Sequence, residues 1–250
     1  MLRRNWTREE LIVAFNLYCR IPFGRIHNRN PEIIALAEAL GRTPSALSWK
    51  LANFARFDPA LKKRGIVGAT HGGKLEEEVW EEFNGNWETL AYTSEKLRAK
   101  LLPASSQPIE TQNFPDGKER EITAKARVNQ GFFRAAILAA YNGQCCITGL
   151  SIPDLLTASH IIPWKDSAEN RTNPKNGLCL NALHDRAFDR GLITLTDEYT
   201  VQLSSRIPKT CDPATQSMLR SYAGAKIQLP SRFYPAPEFL AYHRQYIYIV

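Results

Sequence analysis

Two histidines and one asparagine in the second half of the chain have a spacing that suits hydrolytic chemistry. His160 closes the apolar stretch LLTASH, Asn176 ends the polar stretch KDSAENRTNPKN sixteen residues later, and His184 follows after eight more. A neutral imidazole has the ordinary pKa that a general base needs near neutral pH, and it is also a common metal ligand. One such histidine on an apolar strand would usually be a core residue, but the three residues together indicate a base beside a metal site.

The segments around these residues predict the elements that position them. LLTASHIIPW is apolar and partly β-branched, which predicts a strand that ends near His160 and is stopped by Pro163. GLCLNALHDRAFD predicts a helix, because Leu180, Leu183 and Ala187 recur at helical spacing. We therefore expect a strand, a polar loop and a helix in that order.

The flanking segments predict further regular structure. RGLITLTDEYTVQL predicts a β-hairpin with its turn near Asp197–Glu198. NQGFFRAAILAAY predicts a helix from about Asn129 to Tyr141, followed by a turn and a short strand. His243 lies in the aromatic segment YHRQYIYIV and has no partner residues of the kind that accompany His160. We therefore expect it to pack in the core or to form a hydrogen bond with a backbone group.

The first hundred residues carry repeated helix-start signals. Thr7 with Glu10 forms a capping box pattern, and Asn30 and Thr43 each precede a proline, as an N-cap residue often does. Gly41 separates the last two predicted helices, which is the pattern of a helix-turn-helix motif. A simple packed helical hairpin has the same pattern and stays open. If the motif binds DNA, its second helix supplies the contacts, and the candidates are Ser45, Ser48, Trp49 and Lys50.

Charge and composition limit the classes of function. The 250 residues carry a net charge of +7, and residues 1–64 alone hold 12 Lys and Arg against 5 Asp and Glu. Such a basic excess is typical of proteins that bind polyanions, although it is also found on ordinary solvated surfaces. Five cysteines without a CxxC pair argue against a disulfide framework and a zinc knuckle. There is no long apolar run and no secretory pattern at the start, so we expect a cytoplasmic protein without a membrane span.

The stretch LLPASSQPIETQNFPDGKERE is rich in Pro, Ser and Gln and has little periodicity. Such a composition is typical of a linker. We therefore predict an α+β protein with a helical domain at 1–102, a linker at 103–121 and a second domain at 122–250.

The second domain resembles the HNH endonucleases, also called ββα-metal or His-Me finger nucleases. His160, Asn176 and His184 look like the three residues that name the family. The segments RVNQGFFRAAILAAYNGQCCITG, ASHIIPW, NPKNGLCLNALHDRAFDRG and FLAYHRQYIYI resemble a bacterial subgroup of HNH restriction endonucleases. The resemblance covers about residues 122–250, and the N-terminal part looks like the partner domain of that subgroup.

The resemblance implies a metal-dependent hydrolysis of double-stranded DNA, with a role in restriction or defence. His160 would take a proton from the attacking water, and His184 would bind the divalent ion. Asn176 would bind the same ion or fix the loop that orients the base. The products of the family carry a 5′-phosphate and a 3′-hydroxyl. Candidate phosphate contacts near the site are Lys165, Lys175, Arg186 and Arg190.

The sequence departs from one common version of the motif. Many members have Asp immediately before the first His, as a metal ligand, and here that residue is Ser159. Asp185 or Asp189 would supply the missing carboxylate, or water would fill the position; Asp189 has an alternative role in capping or turning the chain. We expect Mg²⁺ or Mn²⁺, while Ni²⁺ and Zn²⁺ also suit such donors. The resemblance is also compatible with a homodimer. It gives no indication of structural zinc.

Two other functions remain open. A DNA-binding regulator with a degenerate, non-catalytic HNH domain would account for Ser159. An RNA nuclease is a third candidate, but a helix-turn-helix suits the major groove of DNA better than the deep, narrow major groove of A-form RNA.

Overall fold

The computed structural model describes residues 4–66, 73–101 and 118–250. The chain divides into two compact units, Met1–Ala135 and Ala136–Val250. Most of the predicted linker, 103–121, lies outside the described residues, and its last four positions belong to a helix. The domain boundaries drawn from the sequence stay a prediction.

The first unit is built from helices. In chain order they are α1 (Arg8–Arg20), α2 (Pro31–Ala39), α3 (Pro44–Phe54), α4 (Pro59–Lys63), α5 (Lys74–Phe83), α6 (Trp87–Leu101) and α7 (Lys118–Ala140), which ends within the second unit. None of the helices in the described part of the chain has both the length and the apolar character needed to cross a membrane.

The predicted caps of these helices are formed. The Thr7 and Glu10 side chains make the reciprocal bonds of a capping box at the start of α1. Asn30 and Thr43 accept hydrogen bonds from the first turns of α2 and α3. Gly41, at φ 61°, occupies the left-handed conformation between those two helices, which glycine adopts without a steric penalty.

Aromatic side chains form the core of the first unit. The ring of Phe15, on α1, lies 4.9 Å from that of Phe54 on α3 and 5.1 Å from that of Trp80 on α5. Tyr18, one turn along α1, packs edge-on against Trp80 and donates a hydrogen bond to buried Asp58. Aromatic pairs at these distances contribute about 1 kcal/mol each beyond the area they bury.

The second unit combines two small sheets with helices. Its remaining elements are β1 (Leu156–His160), β2 (Gly177–Asn181), α8 (Ala182–Asp189), β3 (Ile193–Leu195), β4 (Val201–Leu203), α9 (Pro213–Met218) and α10 (Pro237–Tyr246). Strands β1 and β2 are antiparallel, and so are β3 and β4. The chain therefore belongs to the α+β class, and the hairpin predicted around Asp197–Glu198 is confirmed.

Two predictions for this unit were wrong. Residues 177–181, expected in a helix, form β2, and the helix begins at Ala182. The first four residues of β2 are buried on both of its faces, so the segment is a continuous apolar run rather than an alternating one. Residues 142–149 form no strand; Gly143 and Gly149 have positive φ in the turns found there.

Candidate active site

His160 lies at the end of β1, opposite Gly177 of β2. Its Nε2 atom is 2.9 Å from the carbonyl oxygen of Arg171, in the loop between the strands. Because a carbonyl oxygen can only accept, Nε2 carries the proton, and Nδ1 carries the lone pair of the neutral ring. The ring of Trp164 packs edge-on against the imidazole, with centroids 5.6 Å apart. The loop therefore fixes both the tautomer and the orientation of His160.

The surroundings of His160 keep its imidazole neutral. Burial lowers the pKa of His160, and the Arg171 carbonyl and the carboxylate of Asp185 oppose this shift only in part. A neutral ring with a lone pair on Nδ1 can accept a proton near neutral pH. His160 thus has the protonation state that a general base requires.

Asn176 uses its amide to hold the loop that follows His160. Its Oδ1 accepts a hydrogen bond from Ile162 N at 2.8 Å, and its Nδ2 donates to the carbonyls of Ile162 and Asn170. The side chain is buried, and its own carbonyl accepts from Ile161 N. These bonds engage both ends of the amide, which fits the role of orienting the base better than the role of metal ligand.

Helix α8 carries two carboxylates one turn apart. Burial raises the pKa of Asp185, while the Ser159 and Thr157 hydroxyls on β1 lower it. Partial burial and the neighbouring Asp185 raise the pKa of Asp189. Because residues at i and i+4 lie on one side of a helix, Asp185 and Asp189 share one side of α8. The two hydroxyls of β1 act on Asp185.

Ser159 lies beside Asp185, at the position where many HNH enzymes have an aspartate. Its side chain is 2% exposed, and no described residue forms a hydrogen bond of ordinary geometry with its Oγ atom. The hydroxyl is close enough to lower the pKa of Asp185 without completing a hydrogen bond of ordinary geometry. The Ser159 hydroxyl therefore adds a buried polar group beside the Asp185 carboxylate.

His184 faces different surroundings from its neighbour Asp185. Its Nδ1 donates to Asn181 Oδ1 at 3.1 Å, and the same oxygen caps α8 by accepting from His184 N at 2.9 Å. Its ring packs edge-on against Tyr222. The ring is buried, and this burial lowers the pKa of His184, while the Met218 backbone opposes the shift. Of these two residues, Asp185 is the one that acts on the pKa of His160.

The predicted phosphate contacts near the site are all exposed; they are Lys165, Lys175, Arg186 and Arg190. Arg186 lowers the pKa of both carboxylates of α8, and Arg190 lowers that of Asp189, so the two guanidinium groups lie near the pair. Positive charge is thus present beside the carboxylates.

The predicted DNA contacts on α3 differ in their availability. Ser45 and Trp49 are exposed, and Trp49 is 63% exposed. Ser48 is half-buried and donates to the carbonyl of Pro44 at 2.8 Å. Lys50 forms an ion pair with buried Glu76 of α5.

The segment that contains His160 and α8 is similar to a known protein family. Residues 145–196 match the family model described as HNH endonuclease. This chain carries an HNH endonuclease domain. The matched residues include β1, the loop with Asn176, β2 and α8. No match was found among curated proteins.

The donor groups of the HNH domain suit a small, hard cation. Within the described part of the chain no cluster of three or more His, Cys, Asp or Glu side chains is placed to hold a metal ion. Two carboxylates on one helix face, with the Ser159 hydroxyl beside Asp185, provide oxygen donors only. Mg²⁺ is commonly held by one or two carboxylates while water fills its other positions, so Asp185 and Asp189 fit this ion.

Sequence reasoning missed two contributors to the site. The Arg171 carbonyl, which sets the tautomer of His160, is a backbone group, so no side-chain pattern could indicate it. Thr157 acts on Asp185 together with Ser159. The sequence shows that Thr157 and Ser159 lie two residues apart. It does not show that both hydroxyls face Asp185, because that depends on the packing of α8 against β1.

Proposed function

We propose that the HNH domain hydrolyses phosphodiester bonds in double-stranded DNA with the help of one divalent cation. The observation that carries the proposal is the state of His160: a neutral ring, held through Nε2–H by the Arg171 carbonyl, with Nδ1 carrying the lone pair. The family match over the same residues supports it.

His160 acts in this proposal as the general base. Nδ1 accepts a proton from a water molecule as the water attacks phosphorus, which makes the water a stronger nucleophile. The bond from phosphorus to the 3′ oxygen breaks, and the leaving oxygen takes a proton from solvent water to become the 3′-hydroxyl. The bond from Nε2–H to the Arg171 carbonyl then stabilises the imidazolium ion that results. Asn176 keeps the loop, and so the ring, in position through its bonds to Ile162 and Asn170.

Asp185 and Asp189 hold the cation in this proposal. When bound there, a divalent ion supplies positive charge that stabilises the charge developing on the phosphate and leaving oxygens. Ser159, the residue that favoured a non-catalytic regulator, is no obstacle, because Asp185 brings a carboxylate to the same place from α8. Arg186 and Arg190 supply further positive charge for the DNA backbone.

The N-terminal unit contributes binding in this proposal. The caps and the glycine turn between α2 and α3 support a helix-turn-helix interpretation, in which the exposed side of α3 with Ser45 and Trp49 meets the duplex. A role in restriction or defence is the finer part of the proposal, and it rests on the resemblance of the sequence to that subgroup.

The test is cleavage of supercoiled plasmid by the full chain in Mg²⁺, in Mn²⁺ and in excess chelator. We expect open-circular or linear product with either metal and none with chelator. Because the proposed products carry a 5′-phosphate and a 3′-hydroxyl, DNA ligase should reseal the nicks. Intact plasmid under all three conditions would contradict the proposal.

A further inference from the structure

The connection between α1 and α2 is a positively charged segment. Residues 21–30 include Arg25, His27 and Arg29, all exposed, and contain no acidic residue. None of the ion pairs formed within the described residues involves Arg25 or Arg29. Other cationic side chains of the same unit form ion pairs within it, as Lys50 does with Glu76. The two arginines are therefore available to an outside anion.

Backbone and side-chain bonds hold this segment in one compact shape. The Arg25 carbonyl accepts from His27 N at 3.0 Å and from Asn30 Nδ2 at 3.0 Å. Asn30 N donates to the His27 carbonyl, and Arg29 N donates to His27 Nδ1 at 3.3 Å. The cations thus project from a fixed loop, so little conformational entropy of the backbone would be lost when the loop binds a ligand.

The loop is joined to the start of α3. Asn28 Nδ2 donates to Ser45 Oγ at 3.1 Å. Ser45 lies in the first turn of α3, and Trp49 lies one turn later on the same side, 63% exposed. The loop and this side of α3 form one surface of arginines, short polar groups and an exposed indole. We call it the loop–α3 surface; its members are Arg25, His27, Asn28, Arg29, Ser45 and Trp49.

We propose that the loop–α3 surface binds the sugar-phosphate backbone of duplex DNA through Arg25 and Arg29, and that Trp49 packs against the same duplex. The inference rests on the proposed function. It changes which residues of the N-terminal unit contact DNA, because the positive charge comes from the loop rather than from Lys50. Charge complementarity carries it. Arg25 and Arg29 form no ion pair among the described residues, so both guanidinium groups of this fixed loop can pair with phosphates. Phosphate contacts of this kind set the register of a helix on DNA.

The test is binding of a short fluorescent duplex, measured by anisotropy across a series of salt concentrations. Chelator is present, so no cleavage interferes. The variants are Arg25→Ala/Arg29→Ala, Trp49→Ala and the charge-matched control Lys62→Ala/Lys63→Ala on α4. Removing two phosphate contacts should weaken binding about tenfold and reduce the slope of log K against log salt by about 2. Trp49→Ala should weaken binding without changing the slope, and the control should bind like the wild type.

Three results would overturn the inference. The first is an unchanged affinity and slope for Arg25→Ala/Arg29→Ala, and the second is a wild-type chain that does not bind the duplex. The third is a loss of binding to anionic phospholipid vesicles in that variant while its DNA binding is retained. Plasmid cleavage by the wild type, measured in parallel, separates these results from a failure of the proposed function, because cleavage can persist when this surface is not used.

Discussion

At the scale of single residues, the site depends on which side chains of α8 face β1. His184 and Asp185 are neighbours in the sequence, yet His184 bonds Asn181 and packs on Tyr222, whereas Asp185 acts on His160. Consecutive residues of a helix point about 100° apart, so only one of the two can face the strand directly. The geometry therefore favours Asp185 as metal ligand and His184 as a residue that fixes the start of α8.

This assignment predicts different effects for two substitutions. Asp185→Asn removes a charged oxygen ligand and should weaken Mn²⁺ binding by about tenfold or more, as measured by titration calorimetry. His184→Asn should leave Mn²⁺ affinity nearly unchanged and lower the melting temperature, because the hydrogen bond from His184 Nδ1 to Asn181 Oδ1 is lost. The opposite pattern, in which only His184→Asn loses Mn²⁺ binding, would identify His184 as the metal ligand.

The sequence predicts candidate site residues, but it does not predict how the structure arranges them. The spacing of His160, Asn176 and His184 indicated the kind of chemistry. Which ring nitrogen of His160 carries the lone pair depends on the Arg171 carbonyl, and which donor of α8 faces β1 depends on where the helix begins. That start was misplaced because β2 was predicted as part of the helix. Tertiary contacts, rather than local pattern, decide both points.

At the scale of elements, α8 is held by its two ends. Asn181 caps its start, and Gly191, at φ 66°, ends it with a bond from Leu192 N to the Ala187 carbonyl. The C-terminal segment crosses directly over Gly191: a Cβ atom there would lie 2.0 Å from the carbonyl oxygen of Ile247, and Ile249 N donates to the Gly191 carbonyl. The position of Asp185 and Asp189 therefore depends on a glycine outside the motif.

Two glycine substitutions separate backbone strain from this close approach. Gly191→Ala should destabilise the chain by about 3 kcal/mol, because it combines a left-handed alanine with a clash against the backbone. Gly224→Ala is the matched control: its φ is 76°, but no atom of the described residues lies within 4 Å of the added Cβ. It should cost about 1 kcal/mol. If urea denaturation shows the same loss in the free energy of unfolding for both variants, the close approach to Ile247 adds nothing to the cost of Gly191→Ala.

Local signals predicted some elements better than others. The starts of α1, α2 and α3 were predicted at the correct residues, because a capping side chain and the helix it starts are close in sequence. The helix predicted from about Asn129 begins at Lys118 instead. Its first residues lie in the charged segment KEREITAKARV, whose apolar residues are too few to show periodicity.

At the scale of the whole molecule, buried histidines make folding depend on pH. His243 stacks on Phe188 with ring centroids 3.7 Å apart and donates from Nε2 to the Phe188 carbonyl, so Nδ1 is the acceptor toward Thr194 Oγ1 at 2.8 Å. Burial lowers its pKa from 6.5 to about 4. The expectation that His243 packs or bonds a backbone group is met, and its ring must stay neutral for the fold.

The sign of the pH dependence follows from this shift. The pKa of His243 is lower in the folded state, so below pH 6.5 the unfolded chain binds more protons. Stability from the neutral ring is complete above pH 6.5 and is lost as the pH falls toward about 4. The loss at pH 5 should be about 2 kcal/mol in urea denaturation. His243→Gln does not titrate, so its stability should fall less between pH 7 and 5; an equal fall would contradict this origin.

The most direct test of the account is the rate of plasmid cleavage by His160→Ala beside that of the wild type, in the metal that supports activity. Melting temperature and duplex binding are measured in parallel to show that the variant folds and still binds DNA. If Nδ1 of His160 takes the proton from the attacking water, the variant should cleave about 10²- to 10⁴-fold more slowly. Equal cleavage rates for the folded variant and the wild type would contradict the account.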